Sequence, residues 1–298
     1  MSIYTDLAFE ARELDPELDG VTEERSTENG VEILRTRITG ESAAKKLKKA
    51  IGSYVTISSA RLAERAPELF GAASRALEGV LLDMLPPGDV LVVGLGNRSV
   101  TPDSLGSRAA DGVFVTRHIV RLMPDALGFP VRAVSVLTPG VLGTTGAETA
   151  ELVSAAVQKL SPAAVIAIDS LASRRAYRIS TVIQVSDAGI DPGSGVGNLR
   201  AGLDRTSLGV PVIAIGVPLV VRASTIVGDA VSAALRGEAR ANAVTQAAVQ
   251  AAERELEGLI VTPKDVDREA ADMAAVICEG VNRALFGGRY EALRSLLS

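Results

Sequence analysis

The chain has 298 residues, with Lys+Arg 31 against Asp+Glu 36 and a formal net charge of −5, which leaves no basic excess for a nucleic-acid surface. Apolar residues make up 47% and charged ones 22%, an ordinary globular composition for a chain long enough to bury a full core. A single cysteine, Cys278, and a single histidine, His118, exclude an intrachain disulfide, a cysteine-built zinc site and a multi-histidine metal centre.

The chemistry is therefore expected to run on carboxylates, hydroxyls, lysines or backbone, with no cofactor and no resident metal. The first ten residues already carry Asp6 and Glu10, and no apolar run of the signal-peptide kind follows, so a cytoplasmic protein is expected. The longest apolar stretch, Val212–Val221, has ten residues. A membrane span needs about 20. No membrane association is expected.

The Arg12–Lys49 region is polar, with Val31–Ile38 reading as an edge strand. Leu69, Ala73, Leu77, Leu81 and Met84 step at helical spacing, and Pro86-Pro87-Gly88 stops that helix. Short apolar runs follow at Val90–Val93, Val131–Leu137, Ala164–Ile168, Thr181–Val185 and Val212–Ile215. Their lack of polar alternation predicts strands covered on both faces. Val153, Val157 and Leu160 mark a helix between two of them, and the Ala-rich run Val227–Leu256 reads as helical. Thr262 as N-cap, Pro263 at the first turn and Gly287-Gly288 as stop bound the last long helix, with Cys278 beside its apolar stripe. Strands alternating with helices give an α/β class: three layers, a mostly parallel sheet flanked by helices.

One octapeptide pattern occurs twice. Asp103-Ser104-Leu105-Gly106-Ser107-Arg108-Ala109-Ala110 returns, 66 residues on, as Asp169-Ser170-Leu171-Ala172-Ser173-Arg174-Arg175-Ala176. Both copies follow a strand, where the crevice beyond the carboxyl ends of an open α/β sheet holds ligands. Either Asp alone reads most simply as a helix N-cap. Two facing carboxylates would instead share a proton, as general acid–base activation of a water requires. Gly94-Leu95-Gly96-Asn97 lacks the third glycine of a dinucleotide fingerprint, and Gly193–Asn198 lacks a Walker lysine. A backbone cradle in a non-catalytic nucleotide- or peptide-binding module stays open as an alternative. So does a serine hydrolase using His118, although no nucleophile elbow accompanies it.

These motifs resemble the germination protease family of spore-forming bacteria. The resemblance runs through Val92-Val93-Gly94-Leu95-Gly96-Asn97, Val100-Thr101-Pro102-Asp103-Ser104-Leu105-Gly106 and Val115-Thr116-Arg117-His118. It continues through Thr145-Gly146-Ala147-Glu148-Thr149, Ala167-Ile168-Asp169-Ser170-Leu171, Ser186-Asp187-Ala188-Gly189 and Pro192-Gly193-Ser194-Gly195-Val196-Gly197-Asn198. Val212–Pro218 and Val261–Asp267 extend it towards the tail.

The resemblance implies an endopeptidase that degrades small acid-soluble spore proteins in the spore core during germination. It also implies synthesis as a zymogen, assembly as a homotetramer and a phosphorylase/hydrolase-like fold similar to hydrogenase-maturation endopeptidases. The family's two essential aspartates fall on Asp103 and Asp169. Tyr4-Thr5-Asp6-Leu7-Ala8-Phe9-Glu10 resembles the family's self-processing site, which places the cut between Asp6 and Leu7. Residues 1–6 then read as propeptide and 7–298 as a single protease domain. Asn97, His118, Glu148, Asp187, Gly193, Gly195, Gly197 and Asn198 are expected to support the site or bind substrate. Arg98, Arg117 and Arg174 are candidates for reading an acidic residue at the cut. A metal bridging the two aspartates is the main rival mechanism; oxygen ligands alone would suit Mg²⁺, Mn²⁺ or Ca²⁺. The chain departs from the family in its short propeptide, in a short Ile226–Leu259 stretch, and in Asp191 where a histidine is common.

Overall fold

The computed structural model describes residues 5–191, 201–234 and 247–297, except 248, 249, 252, 253 and 257. Among the described residues nine strands form one sheet: β1 Val21–Glu28, β2 Val31–Ile38, β3 Gly52–Ser58, β4 Val90–Gly94, β5 Val134–Leu137, β6 Ala164–Ser173, β7 Val182–Ser186, β8 Val212–Arg222 and β9 Ile260–Val261. The helices are α1 Ala8–Glu13, α2 Glu41–Leu47, α3 Pro67–Met84, α4 Leu105–Asp111, α5 Arg117–Leu122 and α6 Leu142–Thr145. They continue with α7 Thr149–Leu160, α8 Arg205–Leu208, α9 Ala223–Ala234, α10 Val266–Phe286 and α11 Tyr290–Leu297.

Strand order is β1-β2-β3-β7-β8-β6-β4-β5, with β9 added beside β8. The half β8-β6-β4-β5 is parallel throughout, and β3, two reversals from β8, and β1, four reversals from it, point the same way, so most strands share one direction. Side chains alternate across this sheet and sort into its outer layers. Val90, Val92, Ile166 and Ile168 face α3, α4 and α10, meeting Leu77, Leu105 and Ile277. Leu91, Val93, Val165 and Ala167 face the other way, onto Val153 and Val157 of α7 and Leu208 of α8. The expected three-layer α/β architecture is present.

Several boundaries differ from the sequence reading. β1 is polar and almost wholly exposed, and it makes β2 an inner strand. The hairpin turns on Asn29-Gly30, both at positive φ (50° and 80°), as a two-residue turn matching strand twist requires. β6 runs five residues beyond Ile168, and β8 carries Pro218 in its interior. That proline sits where the β6–β8 register shifts, between Leu171 and Ala172, a bulge that tolerates the missing N–H. Thr262 does not cap the last long helix. Val261 is still paired to Val221, the Thr262 hydroxyl donates to the Leu219 carbonyl at 3.0 Å, and α10 starts after Asp265.

Cys278 is structural. It lies against Gly112, where any Cβ would come within 2.4 Å of its sulfur, and Asn282 donates to that sulfur at 3.4 Å. Burial pushes the thiol up to about 11. At pH 8 roughly one molecule in a thousand is then ionised. Alkylation of the native protein should run about 100-fold slower than in urea; equal rates by mass spectrometry would show the thiol to be open.

Candidate active site

The site assembles where β4 ends beside the middle of β6 and β8. The ladder extends one residue past β4, where the Leu95 N–H donates to the Ile168 carbonyl at 2.8 Å. α4 then sits directly on these strand ends, because Gly106 has no side chain. A Cβ there would lie 2.2 Å from the Ile168 carbonyl oxygen and 2.5 Å from that of Leu95. Gly94 allows the same approach from below, with Gly106's own carbonyl 2.4 Å from the place of its absent Cβ. Asp103 ends the 3-10 turn Thr101–Asp103 just before α4. It folds back over Gly96, which has φ +88° and no room for a side chain against the Asp103 carbonyl. The Asn97 N–H donates to Asp103 Oδ2 at 2.7 Å. Asn97 in turn accepts from the Ser99 N–H at 3.0 Å, which sets the loop.

Asp169 follows Ile168 within β6, on the strand beside β4, and is buried. The Ser170 N–H donates to its Oδ1 at 2.8 Å. The octapeptide copies therefore share no fold: the first continues as helix α4, the second as strand. Asp169 lies in register with Gly216 of β8, and Gly216 with Gln184 of β7. Residues in register point to the same face. The missing side chain at Gly216 leaves a gap between Asp169 and Gln184, into which Leu171 leans.

The N-terminal segment crosses this face. The Asp6 N–H donates to the Ala172 carbonyl at 2.9 Å, and the Ala172 N–H to Asp6 Oδ2 at 2.7 Å. Gln184 brackets Leu7. Its Nε2 donates to the Asp6 carbonyl at 3.0 Å and its Oε1 accepts from the Ala8 N–H at 2.7 Å. Leu7 is fully buried among Phe9, Leu34, Leu171 and Val182. Lys49 donates to the Thr5 carbonyl at 2.9 Å. Desolvation lowers its pKa, and Asp6, Asp191 and Glu10 pull it back up. One cavity is lined by Asp6, Lys49, Asp169, Gln184, Asp191 and Asp204, among others.

The remaining candidates divide. Asp187 accepts from the Ser53 N–H at 2.7 Å and ties β7 to β3. Glu148 precedes α7 and donates its N–H to Glu151 at 3.1 Å. His118 is exposed on α5, outside that cavity's lining. Gly193, Gly195, Gly197 and Asn198 lie outside the described residues. Arg98 is held by Asp111 at 2.6 Å on the surface, and Arg174 by Asp229 at 2.8 Å; Arg117 opens α5. The cation beside Asp6 is Lys49, which the sequence reading did not single out. Gln184 was missed too, although a lone amide in the apolar run Val182-Ile183-Gln184-Val185 was a signal, since a buried amide needs partners. Among the described residues no group of three or more His, Cys, Asp or Glu is placed to hold a metal ion, and no helix is long and apolar enough to cross a membrane.

A family model described as germination protease matches residues 2–252. A germination protease of Caldanaerobacter subterraneus subsp. tengcongensis is 41% identical, covering 98% of this chain and 96% of its own length. One from Clostridium perfringens is 37% identical, covering 95% of each. One from Priestia megaterium is 41% identical over 79% of this chain and 68% of its own. Among solved structures, a [NiFe] hydrogenase maturation protease from Thermococcus kodakarensis matches at 16% identity and a TM-score of 0.36, covering 68% of this chain and 98% of that one.

Proposed function

The chain belongs to the germination protease family and is a protease; from that premise we propose that it is the endopeptidase that begins the breakdown of small acid-soluble spore proteins during germination. It is made as a zymogen and cuts itself between Asp6 and Leu7, which separates a six-residue propeptide from a single protease domain. Homotetrameric assembly and residence in the spore core belong to the same proposal.

The observation that carries the reading is the seating of the Asp6–Leu7 bond. The chain bends at Asp6 beside Ala172 of β6; the bond's carbonyl accepts from Gln184 at 3.0 Å, its N–H donates to the Thr5 hydroxyl at 3.1 Å, and Asp6 lines the cavity that Asp169 also lines. An acidic residue followed by a large apolar one is the sequence expected at the cut. Asp103 ends the turn that follows β4, and Asp169 lies inside β6, the strand paired in parallel with β4. In the mechanism they act as a dyad with one shared proton. The ionised member takes a proton from water as its oxygen attacks the carbonyl carbon, and the protonated member polarises that carbonyl or hands its proton to the leaving nitrogen.

Intact-mass spectrometry of wild type beside Asp103→Asn and Asp169→Asn, alone and with a small acid-soluble spore protein, tests this. Wild type is expected to lose residues 1–6 and to cut the substrate after acidic residues, and each variant to do neither. Loss of one carboxylate removes acid–base activation worth about 10²–10⁴ in rate, and more where the pair acts as a unit. Uncut substrate from a matured wild type would leave a peptide-binding module instead.

A further inference from the structure

We propose that Gln184 is a catalytic residue of the self-cleavage, its side-chain amide donating to the carbonyl oxygen of the bond that is cut; this rests on the reading of Asp6–Leu7 as that bond. Three observations carry it. The amide is buried in the middle of β7, where an unpaired polar group would be costly. Both of its ends are spent on one tripeptide, Asp6-Leu7-Ala8: Nε2 on the Asp6 carbonyl at 3.0 Å and Oε1 on the Ala8 N–H at 2.7 Å. It also shares a cross-strand row with Asp169, with Gly216 between them and the Leu171 side chain leaning over that glycine.

An amide fixed at both ends cannot swing away, so the donor is already aimed when charge develops. As the oxygen of water bonds to the Asp6 carbonyl carbon, its proton passes to the dyad, and the C=O π pair moves onto the carbonyl oxygen. The Gln184 Nε2–H bond to that oxygen strengthens as it becomes an anion. The pair then returns, the C–N bond breaks with its electrons on the Leu7 nitrogen, and that nitrogen takes up the proton. The products are an Asp6 carboxyl and a Leu7 amine. The acceptor end holds the leaving strand in register through Ala8, one residue beyond the bond.

The two ends can be separated. Gln184→Met removes both hydrogen bonds at nearly constant volume. Gln184→Glu keeps the acceptor for Ala8 but loses the donor while ionised, and regains an O–H donor when protonated. The first-order rate of loss of residues 1–6 is read by intact mass from pH 5 to 8, with Asp169→Asn alongside and circular dichroism to establish folding. Removing one oxyanion donor should slow the step about 10²–10³-fold. Gln184→Met should show that loss at every pH. Gln184→Glu should show it at pH 8 and recover at least about tenfold relative to wild type on acidification, as the carboxyl gains its proton. Rates within threefold of wild type in Gln184→Met, or a pH-independent defect in Gln184→Glu, would overturn the proposal while the Asp6–Leu7 reading stands. A wild type that never cuts there removes the reading and the proposal together. Should Gln184→Met not fold, the pH response of Gln184→Glu decides.

Discussion

Gly106→Ala should destabilise the protein by about 4 kcal/mol or more and abolish proteolysis. The new Cβ would meet the Ile168 oxygen at 2.2 Å, the Leu95 oxygen at 2.5 Å and the Leu95 nitrogen at 2.6 Å. All three are backbone atoms of β6 and of the residue just past β4, so no side chain can rotate out of the way. α4 must instead lift off the strands. That would uncover Leu105 and Ala109, which are fully buried, and would carry Asp103 away from the turn whose Asn97 N–H it accepts. Stability and the relative placing of Asp103 and Asp169 therefore fail together. Gly143→Ala is the control, since nothing lies within 4 Å of its added Cβ and it sits inside a short helix. It should be neutral or slightly stabilising. Urea unfolding read by circular dichroism compares the two, and a Gly106→Ala midpoint close to that of Gly143→Ala would refute this account of the α4 contact.

The same glycine shows where sequence reasoning works and where it stops. The parallel half of the sheet was legible because its strands are apolar on both faces, and α3, α7 and the body of α10 because their apolar residues keep a helical step. β1 was not, because an exposed edge strand buries too little to need an apolar pattern. Its only sharp mark was Asn29-Gly30. The repeated octapeptide misled about local structure. Ser104–Ala110 continues as a helix packed on the strand ends, whereas Ser170–Ser173 has β8 as its partner and stays extended. Tertiary pairing decided between them, and eight residues cannot encode it.

The candidate site was legible as two aspartates and one acidic-apolar dipeptide. What the sequence lacked was the cross-strand row. Gln184 and Lys49 lie far from Asp6 in the chain, and only the β6-β8-β7 order and the chain just after α2 bring them to it. The arginines favoured for an acidic subsite were equally plausible by charge. They are instead spent on Asp111 and Asp229, or lie on α5.

Arg178→Met should loosen the whole segment that presents the Asp6–Leu7 bond, at a cost of about 3–5 kcal/mol. Arg178 holds Glu10 at 2.9 Å and Glu13 at 2.6 Å, with its guanidinium 4.4 Å from the Phe9 ring centre. The Glu10 side chain is 1% exposed, so it cannot exchange a lost cation for water. Its carboxylate also accepts from the Arg174 N–H at 2.6 Å, the Arg175 N–H at 3.0 Å and the Thr5 hydroxyl. Glu10 is thus the pin that fixes α1 to the chain just after β6, and through Thr5 it reaches the residue before Asp6. Without Arg178 the pin is a buried charge whose hydrogen-bond donors are all neutral. Because these contacts are confined to residues 5–13 and their landing site, the loss should appear as local opening before global unfolding. Amide hydrogen exchange should speed up across residues 6–13, and loss of residues 1–6 should slow, with β4 and β5 protected as in wild type. Adding Glu10→Gln to Arg178→Met should restore part of the stability, since the orphaned charge and not the lost packing is the main cost. A double variant no more stable than Arg178→Met would place the cost in the Phe9 contact, and unchanged exchange in the single variant would mean that Leu7 and Phe9 hold the segment through apolar burial alone.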